Sequence, residues 1–310
     1  MPGNETIRRA VVPSLAKINL DLRVLHKRPD GFHELRTIFQ TISLADRIGI
    51  EYTPGGAKTR LTIEGNVDIP DNLILGAAEA VMRATRAKGE VRFTLDKRIP
   101  MGGGLGGGSS NAAAVLLALP VLTGRMLTPA RLHELASELG SDVPFFLYGG
   151  TALGLGRGTE LYPLADVAPV HGLVMAPGVH VSTPEAYRAL QRDGDVGGAP
   201  GGFFNPSEWA ACGKNDFEAV VYARHPELKK VARALKAGGA STVRMCGSGS
   251  SVFGAFFHAE AEAAALKRFK GFTGYPVEFV TRRKYQSLWW NSLKRHTLVK
   301  VWPPRSRYEQ

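Results

Sequence analysis

Apolar and polar residues alternate along residues 15–25, LAKINLDLRVL. The apolar positions run from Ile18 to Val24 on one face, and the opposite face begins with Lys17 and Asn19. Successive side chains of a β-strand point to opposite faces, so a period of two is typical of a strand with one buried face. We therefore predict a half-buried strand that projects Lys17 and Asn19 to the same side.

The rest of the first half carries further strand and helix signals. One helix begins at Asp71 or Asn72, and another opens at Thr128, before a proline, and closes at Gly140. The glycine-rich segment 149–164 predicts a hairpin. Strand patterns are found at 36–52, 59–64 and 91–99.

The second half predicts a smaller mixed unit. Its elements are a strand at 171–177, a helix from Pro184, a flexible surface loop at 192–202, a helix at 226–237, a strand–glycine turn–strand at 241–257 and a helix at 259–269. Long β stretches beside several helices, without regular βαβ alternation, indicate an α+β protein. A chain of 310 residues is long enough for two lobes, and we place the domains at 1–166 and 167–310.

The stretch PMGGGLGGGSSNAAAVLL (100–117) places six glycines within seven residues, directly before an apolar helix-forming run. A Walker phosphate loop needs a lysine after its last glycine, and Ser109 stands there instead, which excludes that motif. The spacing of Gly102, Gly104 and Gly107 formally matches a dinucleotide fingerprint. That match is weak because the chain next enters another helix rather than a strand ending in an acidic residue.

A cradle for a polyphosphate explains this loop better than a mobile linker does. Glycines let backbone N–H groups approach an oxyanion, and the N-terminus of the following helix adds unpaired donors and a partial positive charge. We expect Ser109 or Ser110 to cap a helix over 112–119, with Asn111 as a further donor.

Composition narrows the class of partner. The formal charge is +11, but +7 of it belongs to the tail 281–310, which also holds three of the four tryptophans. The body is nearly neutral, so we do not expect nucleic acid as a partner, and we expect the tail aromatics to dock on the protein itself. We find no apolar run that could span a membrane, no secretory signal and no disulfide framework, and so expect a cytoplasmic protein.

The glycine loop resembles the second motif of the GHMP kinases, a superfamily of small-molecule kinases. Other segments that fit the family follow in order: PSLAKINLDL (13–22), KRPDGFHEL (27–35), DNLI (71–74), GSDVPFF (140–146), PGVHVSTP (177–184) and MCGSGSSVFGAF (245–256). The resemblance implies a two-lobed fold, with an ATP-binding, ribosomal S5-like lobe first and a substrate-binding, ferredoxin-like lobe second. It also implies ATP and Mg²⁺ as cofactors, although no carboxylate cage for a metal is visible.

The resemblance assigns catalysis to Asp142 and Lys17. Asp142 would be the general base for the attacking hydroxyl, and Lys17 would orient that hydroxyl and hold the carboxylate charged. From the residues alone, Asp142 could equally cap a helix that begins VPFFL, and Lys17 could be an exposed strand lysine. The residues expected to bind ATP are Pro100, Met101, Gly102, Gly103, Gly104, Leu105, Gly106, Gly107, Gly108, Ser109, Ser110, Asn111, Asn72, Leu73 and Lys97.

The family's aromatic–histidine pair matches Phe32 and His33, and a second aromatic clamp matches Tyr187, so ring faces would hold a pyrimidine. The residues expected to bind substrate are Asn19, Phe32, His33, Thr183, Tyr187, Gly247, Ser248 and Gly249. Within the superfamily, PDGFHEL with the double-glycine loop favours phosphorylation of the 2-hydroxyl of a cytidine diphosphate-linked methylerythritol, in non-mevalonate isoprenoid precursor synthesis.

Two alternatives stay open. The chain could be another GHMP kinase, acting on mevalonate, homoserine or a sugar. It could also be a nucleotide-binding protein without kinase activity, whose basic tail recruits RNA or a membrane. The set of Lys17, Asn19 and Asp142 favours the kinase, because a protein that only binds nucleotide would not need it. Both a monomer and a homodimer are compatible with the sequence.

Overall fold

The computed structural model describes residues 7–190, 208–269 and 272–309, and it shows two lobes that are each built on one sheet. The strands of the first lobe are β1 (Arg8–Lys27), β2 (His33–Pro54), β3 (Arg60–Gly65), β4 (Gly89–Asp96), β5 (Thr151–Gly156) and β6 (Glu160–Pro163). They lie in the order β3-β4-β2-β5-β6, with β1 paired to β2. β3 and β4 are parallel, and the other neighbours are antiparallel.

Helices cover this sheet: α1 (Leu73–Thr85), α2 (Gly107–Thr123), α3 (Pro129–Leu139) and a short 3₁₀ helix (Pro144–Leu147). α2 is buried without a break from Ser110 to Leu122. A helix surrounded by protein needs no polar face, which explains its almost continuously apolar sequence. The glycine loop therefore leads into the most deeply buried helix of the lobe.

The second lobe contains a four-stranded antiparallel sheet with helices packed against it. Its strands are β7 (His171–Ala176), β8 (Thr242–Met245), β9 (Val252–Phe256) and β10 (Thr273–Glu278), in the order β10-β7-β9-β8. Its helices are α4 (Thr183–Leu190), α5 (Trp209–Cys212), α6 (Phe217–Arg224), α7 (Pro226–Ala237) and α8 (Ala259–Arg268). Apolar side chains of α7 and α8 meet the sheet around Leu173 and Val252, which closes a separate small core.

The basic tail forms α9 (Arg282–Leu293) and a following segment of turns and coil. Although the sequence grouped it with the second domain, Tyr285 and Trp289 are buried in the same cluster as α2, in the first lobe. The Trp302 indole N–H donates to the Leu147 carbonyl at 2.9 Å. The expectation that the tail aromatics dock on the protein itself is confirmed.

Most predicted elements are also confirmed. Asn72 caps α1 by accepting from the N–H of Ile74 at 3.1 Å, and Thr128 caps α3 by accepting from that of Arg131 at 3.2 Å. Segment 149–164 is the β5–β6 hairpin. The predicted surface loop 192–202 lies outside the described residues. Among those described, no helix combines the length and apolar character needed to cross a bilayer.

The predicted start of α2 is wrong. The helix begins inside the glycine loop at Gly107, and the cap position belongs to Gly106, whose φ of 69° lies in the left-handed region. Ser109 and Ser110 are therefore in the first helical turn and do not cap it. Glycine takes a positive φ without steric cost, so the chain can turn into the helix earlier than a serine cap would allow.

The prediction that β1 is half-buried is also wrong, because its polar face is covered as well. Lys17 is 3% exposed and Asn19 is 2% exposed. The N–H of Lys17 donates to the Leu105 carbonyl at 3.0 Å, and the N–H of Gly247 donates to Asn19 Oδ1 at 3.0 Å. The glycine loop and a turn of the second lobe thus close over this face, which a local alternation pattern cannot reveal.

Candidate active site

Lys17 and Asn19 form the floor of the site. They project from the same face of β1, as predicted, and the Lys17 ammonium donates to Asn19 Oδ1 at 3.0 Å. The Asn19 amide nitrogen donates to Thr37 Oγ1 at 2.8 Å, and that hydroxyl donates onward to the Asp21 carbonyl at 2.8 Å. These bonds orient the amide so that its oxygen faces the lysine.

Asp142 lies opposite, in the turn between α3 and the 3₁₀ helix. Its Oδ2 is 3.3 Å from Lys17 Nζ, and its side chain is 34% exposed whereas that of the lysine is 4% exposed. The alternative role of Asp142, as the cap of the following helix, is not found, because the cap position is Val143. An ionised carboxylate held beside a buried cation and open on its other side can accept a proton from a bound hydroxyl.

A cavity of about 790 Å³ opens over this pair. It brings together residues that the sequence assigned separately, from the glycine loop, the aromatic motif and the second lobe. The predicted residues that line it are Lys17, Asn19, Phe32, His33, Gly104, Gly106, Ser109, Asp142, Thr183, Tyr187, Gly247 and Ser248. This volume is in the range of small-molecule sites.

Stacked rings form one wall of the cavity. The rings of His33 and Tyr187 are 4.7 Å apart and inclined by 25°, and Tyr187 meets Phe217 edge-on at 4.8 Å. Burial, and then the nearby charge of Asp142, raise the pKa of the Tyr187 phenol. Tyr187 is therefore a neutral, fixed ring that holds His33 in place.

Phe32 stands at the mouth of the cavity and is 48% exposed. The guanidinium carbon of Arg157, from the β5–β6 turn, lies 4.5 Å from the centre of its ring. Arg157 lines the same cavity and was not predicted, because an arginine in a glycine-rich hairpin gives no functional signal. A cation over the ring face contributes attraction as well as positive charge at the mouth.

Two segments of the resemblance, PGVHVSTP (177–184) and MCGSGSSVFGAF (245–256), reach the site from the second lobe. The hydroxyls of Thr183 and Ser248 are 2.7 Å apart, which ties the start of α4 to the 247–250 turn. Gly247 approaches Gly104 of the glycine loop, since a Cβ at Gly247 would lie 3.2 Å from the Gly104 carbonyl oxygen. Gly249 faces inward to Met245 and does not line the cavity.

The glycine loop is packed tightly, which excludes the mobile linker. Gly104 has a φ of 75°, and a Cβ there would collide with the Cys246 carbonyl. The first helical hydrogen bond of α2 runs from the N–H of Ser110 to the Gly106 carbonyl at 2.8 Å. The N–H groups of residues 107–109 precede that bond and point out of the helix end, as an anion cradle requires.

Two predicted phosphate ligands turn inward. Asn111 donates through its amide nitrogen to Ser14 Oγ at 2.8 Å and to Asp46 Oδ2 at 2.9 Å, and the Ser14 hydroxyl donates to Ser110 Oγ at 2.8 Å. All four side chains are buried. The side chains of Ser110 and Asn111 therefore hold the helix from within, whereas Ser109 reaches the cavity.

Lys97 is also engaged internally. Its ammonium donates to Asp46 Oδ2 at 2.7 Å and to the Ile99 carbonyl at 2.8 Å. Burial lowers the pKa of Lys97, and the Asp46 carboxylate opposes that effect. The Lys97 ammonium lies under Gly107, where an added Cβ would be 2.9 Å away. Asp46 was missed, because one acid in an alternating strand looks like a surface residue.

Further residues that are expected to bind ATP lie beside the loop or in its first part. Leu73, at the start of α1, lies 3.7 Å from where a Cβ of Gly108 would be. Pro100, Met101, Gly102 and Gly103 line a second cavity of about 250 Å³ on another side of the loop.

Comparison with known proteins agrees with this architecture. Residues 72–150 match the GHMP kinases N terminal domain, and residues 205–272 match the GHMP kinases C terminal domain. The 4-diphosphocytidyl-2-C-methyl-D-erythritol kinase of Solibacter usitatus (strain Ellin6076) is 50% identical over 98% of this chain and 99% of its own. The chain belongs to the GHMP kinase family.

Other relatives point to the same branch of the GHMP kinases. The 4-diphosphocytidyl-2-C-methyl-D-erythritol kinase of Geobacter sulfurreducens (strain ATCC 51573 / DSM 12127 / PCA) is 39% identical over 84% of this chain and 94% of its own. A crystal structure of 4-(cytidine 5'-diphospho)-2C-methyl-D-erythritol kinase matches with a TM-score of 0.72 at 37% identity, covering 88% of this chain and 99% of that one. A homoserine kinase from Cytophaga hutchinsonii, at 16% identity and a TM-score of 0.57 over 91% of this chain and 96% of its own, shares the fold. The predicted two-lobed GHMP kinase fold is confirmed.

Proposed function

We propose that this GHMP kinase transfers the γ-phosphoryl group of ATP to the 2-hydroxyl of 4-diphosphocytidyl-2-C-methyl-D-erythritol, in non-mevalonate isoprenoid precursor synthesis. The observation that carries the proposal is the Lys17–Asp142 pair, 3.3 Å apart, on the wall of a cavity that the glycine loop also lines. A proton acceptor and a phosphate cradle thus face one space. The names of the relatives direct the choice of substrate.

Asp142 accepts the proton of the substrate hydroxyl. The oxygen of that hydroxyl forms a bond to the γ-phosphorus while the bond between the γ-phosphorus and the bridging oxygen breaks, which releases ADP. Lys17 holds the carboxylate in place and faces the developing negative charge. Asn19 keeps the lysine aimed at the cavity, because its oxygen accepts from the ammonium at 3.0 Å. The N–H groups at the start of α2 hold the phosphates in line for transfer.

The residues around the loop fit a Mg²⁺ that is carried largely by phosphates and water. The described residues include no cluster of three or more His, Cys, Asp or Glu side chains suited to a metal. Mg²⁺ commonly keeps several waters and binds through substrate phosphates, so such a cluster is not required. Ser109, a hydroxyl at the cavity wall, would be its protein contact. When bound, Mg²⁺ neutralises charge on the β- and γ-phosphates.

The cytidine end of the substrate would lie against Phe32 and His33. Phe32 offers an exposed ring, and His33, fixed by its stack on Tyr187, offers ring nitrogens to the edge of a base. Mevalonate and homoserine contain no nucleobase that could stack on these residues. The tail packs on the first lobe. Its basic and aromatic residues therefore no longer favour a protein that recruits RNA or a membrane. A cytoplasmic location, as a monomer or homodimer, belongs to the same proposal.

The test is a coupled ADP-release assay on the purified protein with 4-diphosphocytidyl-2-C-methyl-D-erythritol, mevalonate, homoserine and a sugar panel. We expect turnover with the cytidyl substrate and none with the others. CMP should protect the wild type against thermal unfolding, and Phe32→Ala and Tyr187→Ala should abolish that protection. Turnover of mevalonate or homoserine in place of the cytidyl substrate would overturn the assignment.

A further inference from the structure

We infer that Asn215, in the second lobe, is a positioning residue that holds Lys17 in its catalytic place through the 247–250 turn. Asn215 lies between α5 and α6 and does not line the cavity over Asp142. The inference rests on the proposed function, because it concerns the same catalytic pair. Asn215 lies outside all the sequence segments that carry the family resemblance.

The Asn215 amide is buried and fully engaged. Its side chain accepts from the N–H of Phe217 at 2.9 Å through Oδ1. Its amide nitrogen donates to the Met245 carbonyl at 2.8 Å and to the Gly247 carbonyl at 2.7 Å. A buried amide with one acceptor and two donors satisfied has a single orientation, so it clamps the start of the 247–250 turn.

The segment around Asn215 is itself hydrogen-bonded to β1, the strand that carries Lys17. The N–H of Leu22 donates to the Lys214 carbonyl at 2.7 Å, and the N–H of Asp216 donates to the Leu22 carbonyl at 3.0 Å. The N–H of Lys214 donates to Asp21 Oδ1 at 2.9 Å. Asn215 therefore stands where the second lobe is joined to β1, only a few residues beyond Lys17.

From the 247–250 turn, the contacts continue to Asp142, the proposed general base. The N–H of Gly247 donates to Asn19 Oδ1 at 3.0 Å, and the Lys17 ammonium donates to the same oxygen at 3.0 Å. Lys17 Nζ then lies 3.3 Å from Asp142 Oδ2. Gly247 is thus held at both ends, by Asn215 on its carbonyl and by Asn19 on its N–H.

This arrangement predicts an effect on the chemical step. Without Asn215, the carbonyls of Met245 and Gly247 lose their donor, and Gly247 no longer fixes the oxygen that aims Lys17. A displacement of about 1 Å in a reacting group can cost about 10²-fold in rate. Among the described residues, the Asn215 side chain is hydrogen-bonded to Phe217, Met245 and Gly247 and not to the glycine loop or the start of α1, so ATP binding should change little.

The test combines Asn215→Ala with Asn19→Ala and the double variant. We expect kcat to fall at least about 10-fold in Asn215→Ala while the KM for ATP stays within about 2-fold. The double variant should be no slower than Asn19→Ala within about 3-fold, because both act through one oxygen. Glu218→Gln is the matched control: Glu218 accepts from the N–H of Met245 at 2.8 Å, and glutamine keeps that acceptor, so wild-type kcat is expected.

Hydrogen exchange of the free proteins gives a readout that needs no substrate. Asn215→Ala should speed exchange in peptides covering 245–251 and 15–20 and leave those of α7 unchanged. Asn215→Ser replaces it if the alanine variant does not fold. Wild-type kcat and exchange in a folded variant, or multiplicative losses in the double variant, would overturn the inference. Absence of turnover in the wild type, with the exchange change present, would contradict the proposed function and leave the clamp standing.

Discussion

Lys17 Nζ lies 3.3 Å from Asp142 Oδ2, and the two side chains differ sharply in exposure, at 4% and 34%. The lysine is enclosed by β1, Asn19 and the glycine loop, so it cannot swing away from the pair. The carboxylate keeps an open side toward the cavity. Lys17 is therefore held rigidly, whereas Asp142 is accessible for proton transfer.

This asymmetry predicts the effect of Asp142→Asn. The amide is isosteric but cannot take a proton, so kcat should fall about 10²–10⁴-fold, the usual contribution of a general base. ATP affinity, measured by calorimetry, should stay close to that of the wild type, because no phosphate donor is removed. Glu138→Gln, on the exposed face of α3, is the control and should keep wild-type turnover. A fast Asp142→Asn enzyme would remove this residue as the base.

The glycine loop provides a matched pair of substitutions. Gly102 and Gly104 have φ values of 68° and 75°, so alanine costs roughly 1–2 kcal/mol of conformational energy at either position. At Gly102 the nearest atom to an added Cβ is His180 Nδ1 at 3.9 Å, but at Gly104 the Cβ meets the Cys246 carbonyl. Urea unfolding should therefore show a distinctly larger loss for Gly104→Ala, and its kcat should fall. Equal losses would show that the glycine loop is not pressed against the Cys246 carbonyl.

Asp46 should prove essential for the loop. It accepts from the Lys97 ammonium at 2.7 Å, from the N–H groups of Arg98 and Ile99 at 2.7 and 2.8 Å, and from the Asn111 amide at 2.9 Å. Asp46→Ala leaves Lys97 as a buried, unpaired cation, which typically costs about 3–5 kcal/mol. Adding Lys97→Met should recover part of that loss in chemical denaturation. A double variant no more stable than Asp46→Ala would argue that the backbone bonds, not the ion pair, dominate.

Local signals in the sequence predicted much of the fold. The alternation around Lys17 and Asn19 predicted their strand and their shared side, because the period of a strand is set by backbone geometry. Asn72 and Thr128 predicted helix starts, because a cap bonds to N–H groups only two or three residues away. Family resemblance then placed Asp142 beside Lys17, which no local pattern could do.

What escaped prediction depends on contacts between distant segments. Asp46 is recognisable only once Lys97 and Asn111 pack over it, and Asn215 only once its segment lies on β1. The burial of the polar face of β1 needs the second lobe in place. For the same reason, the sequence could not show that Asn111 points into the lobe rather than toward phosphate.

The tail gives a prediction about stability. Trp289 is 1% exposed and belongs to the core cluster that contains α2, whereas its neighbour Trp290 is half-buried. Trp289→Ala should lower the free energy of unfolding by about 3–5 kcal/mol, as for other buried large-to-small changes. Trp290→Ala is the control and should cost much less. Losses of equal size would show that the tail packs less specifically than the structure indicates.

Glu218 should make stability depend on pH. Burial raises the pKa of this carboxyl, against the opposing effects of the Met245 N–H and of Arg244. The folded state therefore holds the proton more tightly than the unfolded state does, so this contribution to stability is present at low pH and lost as pH rises through the folded-state pKa. Glu218→Gln cannot ionise and keeps the acceptor for Met245, so it should avoid that loss.

The measurement is the melting temperature of Glu218→Gln and of the wild type from about pH 4, near the ordinary glutamate pKa, to pH 8. The two proteins should be closest at the acid end, which serves as the internal control. The variant should then become progressively more stable than the wild type until the carboxyl is fully ionised, and the difference should stay constant above that pH. A difference that shrinks as pH rises would mean that the Arg244 charge outweighs burial and that Glu218 stabilises the fold as a carboxylate.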